Sequence, residues 1–147
     1  MQPSNTYEPS WSETPYLRME MLSTGILIAE YKRGTKIDLP TAKEIVASRV
    51  AFTGERTVPV LLYIEGLLSI HRNARKYISS IEGVKYLSAA AIMKDSAFAA
   101  VVGNLFSSLN NPIKIPVRIF TNRQKAMTWL AEKHREWEIN TNKDATG

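Results

Sequence analysis

Three short apolar runs constrain this chain more than any other feature. They are Val58-Pro59-Val60-Leu61-Leu62-Tyr63-Ile64, Ser88-Ala89-Ala90-Ala91-Ile92-Met93 and Val117-Arg118-Ile119-Phe120. Each is too short for a buried helix, and each gives way to a polar break and then to helical periodicity. Such runs are strands covered on both faces, as in parallel sheets joined by crossover helices. The expectation is an α/β sandwich with a mixed, largely parallel sheet. Right-handed crossovers set the hand of its parallel part.

The rest of the chain fits this frame. Residues 1–14 are polar and proline-bearing without a period, and are expected to form a flexible arm. Tyr16–Leu22 alternates, with Leu17, Met19 and Met21 on one face and Arg18 and Glu20 on the other. Ser23-Thr24-Gly25 then turns the chain into a second strand, Ile26–Tyr31, which predicts a hairpin. A first helix starts near Pro40 or Thr41, where Thr41-Ala42-Lys43-Glu44 has capping-box spacing. Ala42, Ile45, Val46, Arg49, Val50 and Phe52 form its stripe, and Thr53-Gly54-Glu55 ends it. A second helix begins near Asn73 with Ala74, Tyr77, Ile78 and Ile81 on one face, and Gly83 is expected as a left-handed stop. A third follows Asp95-Ser96 and is apolar over most of its circumference from Ala97 to Phe106. The last starts at Thr121-Asn122-Arg123-Gln124 and carries Ala126, Met127, Leu130 and His134 on one stripe. After Glu138 the composition turns polar and small. One domain over residues 15–138 is expected, with a flexible tail over 139–147.

Composition narrows the chemistry. The chain has 147 residues, 44% apolar and 22% charged, the make-up of an ordinary globular domain. It contains no cysteine, which removes disulfides, thiolate catalysis and thiolate metal sites together. No apolar stretch approaches the roughly 18 residues that span a bilayer, and the first residues lack a signal-peptide pattern. A cytoplasmic location is the expectation. The net charge of +5 is uneven: Gly66–Lys125 holds nine Lys and Arg against Glu82 and Asp95, so that segment carries +7 and the remainder −2. A basic middle suits an acidic partner. Nucleic acid is disfavoured, because no dense Lys/Arg cluster or reading motif is present.

The element order, together with Pro59-Val60-Leu61-Leu62-Tyr63-Ile64, Ala74-Arg75-Lys76-Tyr77-Ile78 and Pro116-Val117-Arg118-Ile119-Phe120-Thr121, resembles the STAS superfamily of bacterial anti-sigma-factor antagonists. More closely, it is similar to uncharacterised bacterial STAS-like (SpoIIAA-like) proteins. The resemblance spans roughly Tyr16 to His134 and implies a STAS-like sandwich. It also implies a non-enzymatic protein-interaction module that regulates a partner. In STAS antagonists the phosphorylated Ser or Thr follows an Asp at the start of the helix after the central strand. Here that region reads Glu65-Gly66-Leu67-Leu68-Ser69-Ile70-His71-Arg72-Asn73-Ala74, without the Asp-Ser signature. The resemblance therefore carries no phosphosite across.

Ligands of open α/β sheets gather beyond the carboxyl ends of parallel strands. Three loops are expected to meet there, 65–72, 94–96 and 121–123, each leading into a helix N-terminus that favours anions. The candidate binding edge is Glu65, Ser69, His71, Arg72, Arg75, Lys94, Ser96 and Arg123. No catalytic residue, metal ligand or cofactor is expected. His71 and His134 lack convergent acids, and no GxxxxGK[ST], GxGxxG or GxSxG motif occurs. The leading expectation is an interaction module that associates with itself. The alternative is a carrier of an anionic or lipid-like small molecule, for which an apolar cavity flanked by Arg72 or Arg75 would speak.

Overall fold

A computed structural model describes residues 10–94 and 113–146 of the chain. Its elements are β1 (Ser10–Glu13), β2 (Leu17–Met21), β3 (Leu27–Tyr31), β4 (Thr35–Ile37), α1 (Leu39–Thr53), β5 (Val58–Tyr63), β6 (Leu67–Ile70), α2 (Arg72–Ser79), β7 (Leu87–Met93), β8 (Val117–Phe120) and α3 (Arg123–Thr146). The expected helix over Ala97–Phe106 lies outside the described residues.

Six strands form one sheet in the order β1-β2-β3-β5-β7-β8. β1, β2 and β3 run antiparallel as a meander, while β3·β5, β5·β7 and β7·β8 are parallel. The hairpin and the side-by-side central strands are therefore present, and the fold is a mixed, largely parallel α/β sandwich. Alternation explains the layers. Leu17, Met19, Leu27, Ala29, Val60 and Ile92 face one side, where Ala42 and Ile45 of α1 and Ala74 of α2 cover them. Ile28, Leu61, Ala89, Ala91 and Phe120 face the other, where Ala126 and Leu130 of α3 cover them. β5 and β7 are covered on both faces, which is why they read as unbroken apolar runs, whereas β2 is covered on one and alternates.

Several local expectations are corrected. Ser10–Glu13, within the stretch read as an arm, pairs along its length with β2 and stacks Trp11 against the Arg18 guanidinium. α3 passes Glu138 and continues to Thr146, into the stretch read as a tail. Asp38, not Thr41, caps α1: its Oδ1 accepts from the Thr41 amide at 2.9 Å, which places Pro40 in the first turn. α2 stops at Ser79, so Ile81 leaves the helical face and is 70% exposed. Gly54 takes the left-handed cap of α1 at φ +63°. Gly83 is not left-handed; a Cβ there would lie 2.1 Å from Tyr77 O and 2.3 Å from Ile78 O, so it serves close packing.

β4 and β6 were not anticipated. They form a separate two-stranded parallel ribbon at the carboxyl ends of β3 and β5. The Gly34 and Thr35 amides both donate to Gly66 O, at 2.8 and 3.2 Å, and the His71 amide donates to Ile37 O at 2.8 Å. Gly66 is required by close approach, since a Cβ would meet Tyr31 O at 2.2 Å.

Candidate functional site

The exits of the parallel strands do lie at one end of the sheet, but the ribbon changes what stands there. Residues 65–72, expected as an open loop, contain strand β6, and His71 alone separates it from α2. Leu67 and Ile70 turn into the core, while Leu68 and Ser69 face solvent. Leu68 is 64% exposed, a large apolar side chain on a backbone held by the ribbon. Glu65, His71, Arg72 and Lys76 are also exposed.

His71, Arg72, Asn73 and Lys76 frame a shallow hollow at the start of α2. Its field is basic, and Asp38 sits close enough to respond to His71. The Asp38 carboxyl is held below its ordinary range, first by its hydrogen bond to Thr41 and to a lesser degree by the His71 charge. Arg75 differs from the other expected edge residues. It is half-buried, and its Nε is buried without a hydrogen-bond partner among the described residues.

The remaining expected residues stand elsewhere. Arg123 opens α3 and donates from Nη1 to the Tyr63 hydroxyl at 2.6 Å, which ties the helix start to the end of β5. With Arg18, Glu20, Ile28 and Glu30 these two line a second hollow, which shares no residue with the one at α2. The Lys94 amide donates to Phe120 O at 3.1 Å, extending the β7·β8 pairing. Ser96 lies outside the described residues. The α3 cap is Asn122, whose Oδ1 accepts from the Lys125 amide at 2.9 Å. The expected edge residues thus stand on separate surfaces: His71 and Arg72 line the hollow at the start of α2, while Arg123 is pinned to Tyr63 and lines the other.

Two arrangements escaped the sequence reading. In the first, Ser88 of β7, His134 of α3 and Glu138 form a line. Ser88 Oγ is 2.8 Å from His134 Nδ1, and His134 Nε2 is 3.2 Å from Glu138 Oε1. Ser88 is 3% exposed and sits at the β7 end opposite the strand exits, so the line fastens α3 to the sheet. In the second, Arg49 of α1 is 7% exposed and donates to Lys85 O at 2.8 Å and Gly83 O at 3.0 Å. Its only sequence signal was a basic residue within an apolar stripe. Among the described residues no group of three or more His, Cys, Asp and Glu could hold a metal ion, and no helix is long and apolar enough to cross a membrane.

A crystal structure of an uncharacterized protein of the DUF3478 family with a SpoIIAA-like fold, from Shewanella loihica PV-4, is similar at 14% identity with a TM-score of 0.49. The alignment covers 88% of this chain and 98% of that one. No curated protein matches the sequence. A family model described as a domain of unknown function matches residues 20–134, most of the chain, from the end of β2 to the middle of α3. The chain belongs to that family, DUF7793.

Proposed function

We propose that the protein is a non-enzymatic, regulatory interaction module that binds a protein partner and associates with itself through the face formed by β6 and the start of α2. The observation that supports this is Leu68: a large apolar side chain, 64% exposed, on a strand whose backbone is locked by the ribbon. A rigid apolar anchor with a polar rim is the usual make-up of a contact centre, since little entropy is lost on docking. Ser69, His71, Arg72 and Lys76 provide that rim, with Glu65 at its edge. The partner surface that fits is an apolar recess bordered by Asp and Glu.

The test compares wild type with Leu68→Asp and with Arg72→Glu/Lys76→Glu. Purified protein at micromolar concentration is examined by sedimentation velocity, and affinity recovery is run from an extract of the source cells. Both variants should sediment as smaller species, and partner recovery should fall by at least about tenfold, as loss of a contact anchor does. Unchanged sedimentation together with unchanged recovery in both variants overturns the proposal.

A further inference from the structure

Between the sheet and the α1–α2 layer the described residues line a half-open apolar cavity of about 110 Å³. Leu17, Met19, Val60, Ile78 and Ile92 are among its walls. Three polar side chains join them: Tyr31, Arg49 and Ser79. The Ser79 hydroxyl is committed to Arg75 O within its own helix. Arg49 is different, because it brings a full positive charge into this apolar setting.

That charge has no described counter-ion. Gly83 O and Lys85 O accept from its two Nη atoms, but carbonyls offer only partial charge. None of the ion pairs among the described residues involves Arg49. A buried cation is costly unless an anion accompanies it. Burial lowers its pKa to about 10, with Tyr31 opposing that shift, so at neutral pH the guanidinium remains charged. The geometry is that of half an ion pair beside an empty apolar volume.

We propose that this cavity binds a small organic carboxylate, its apolar body against the sheet and its carboxylate paired with Arg49. Size and charge both bear on the ligand class. An apolar protein cavity of about 150 Å³ takes up benzene, so the smaller 110 Å³ here suits a short-chain carboxylate rather than a ring or a long acyl tail. Arginine matches a carboxylate through two parallel N–H donors. A phosphate would bring a second charge among apolar walls that offer one cation. The site lies on the inner side of the helices, separate from the Leu68 face, and does not depend on it.

Propionate serves as the probe, and propionamide as its neutral counterpart of nearly equal shape. Each is titrated into the full-length protein at neutral pH, followed by calorimetry and by amide and arginine Nε–H NMR shifts. Propionate should saturate, with shifts at Arg49, Tyr31, Val84 and Leu87, and propionamide should bind at least about tenfold more weakly for want of the charge-assisted pair. Ala90→Phe, which fills the cavity from β7, should abolish propionate binding, whereas Leu68→Asp should leave it unchanged. Three results overturn the proposal: propionamide binding as tightly as propionate, shifts that map away from the cavity, or no saturation by about 10 mM. The propionate–propionamide comparison uses the wild-type protein alone, so it decides the matter even if Ala90→Phe does not fold.

Discussion

Ser88 Oγ lies 2.8 Å from Nδ1 of His134, which joins the start of β7 to the middle of the last helix. The ring's other nitrogen is 3.2 Å from Glu138, and its face stacks on Trp137 with centroids 5.4 Å apart. Neutral histidine satisfies this line fully when Ser88 donates to Nδ1 and Nε2–H donates to Glu138. Protonation reverses the Ser88 bond and charges a partly buried ring. Two effects compete for the pKa of His134: burial lowers it, Glu138 raises it, and burial prevails.

The folded protein therefore binds the His134 proton less readily than the unfolded chain. A His whose folded pKa is lowered supports stability above its ordinary value near 6.5 and loses that support as pH falls below it. The melting temperature of wild type should drop on acidification through this window, and His134→Gln should flatten that part of the curve. An unchanged slope in the variant places the acid sensitivity elsewhere. Ser88→Ala should cost about 1 kcal/mol by chemical denaturation, as for a typical buried hydrogen bond.

Arg49→Lys should destabilise the fold by about 1.5–3 kcal/mol, the range for hydrogen bonds to charged groups. A lysine ammonium cannot span Gly83 O and Lys85 O as the planar guanidinium fork does. Urea denaturation with an unchanged m-value is the check, because a changed slope would report a different unfolded or native state.

Gly66→Ala and Gly34→Ala should separate two uses of glycine. At Gly66 a methyl group would strike Tyr31 O at 2.2 Å, and because the atom it strikes is backbone the ribbon must shift; the cost should reach about 3 kcal/mol or more. At Gly34 there is open space and only a positive φ of 83°, so the cost should stay near about 1 kcal/mol. Equal losses at the two sites would show that close approach at Gly66 is not the cause.

Leu68→Asp should leave thermal stability within about 0.5 kcal/mol of wild type, as for exposed positions without structural roles. Leu67→Asp should unfold the ribbon, since that neighbour packs against the core. Thermal denaturation of the pair tests the facing of β6. A large loss at Leu68 would mean that its side chain does structural work.

The placement of the expected edge residues was partly legible. His71 and Arg72 line one hollow because they are neighbours in sequence, and closeness along a chain needs no fold to be seen. Arg123 was expected to join them, yet its guanidinium is directed to Tyr63 across the sheet end, a contact over 60 positions. Arg49 stood within an apolar stripe, but its acceptors lie 34 and 36 positions away, so its burial had no local signal. β4 and β6 are short and, in β6, mixed in polarity; their strand character comes from pairing with each other. Asp38 displaced Thr41 as cap because it stands one turn earlier with Pro40 behind it.

The amino-acid pattern alone determined the layered α/β architecture, the parallel run of β5, β7 and β8 and the antiparallel start. Continuous apolar runs can be buried on two faces only between helices, and alternating ones on a single face. Tertiary structure alone decided the β4–β6 ribbon, the Ser88–His134 fastening, the burial of Arg49 beside a cavity and the separation of the expected edge into two surfaces. Each of these depends on hydrogen bonds or steric approach between segments distant in sequence. Their partners are chosen by packing of the whole chain and leave no periodicity behind.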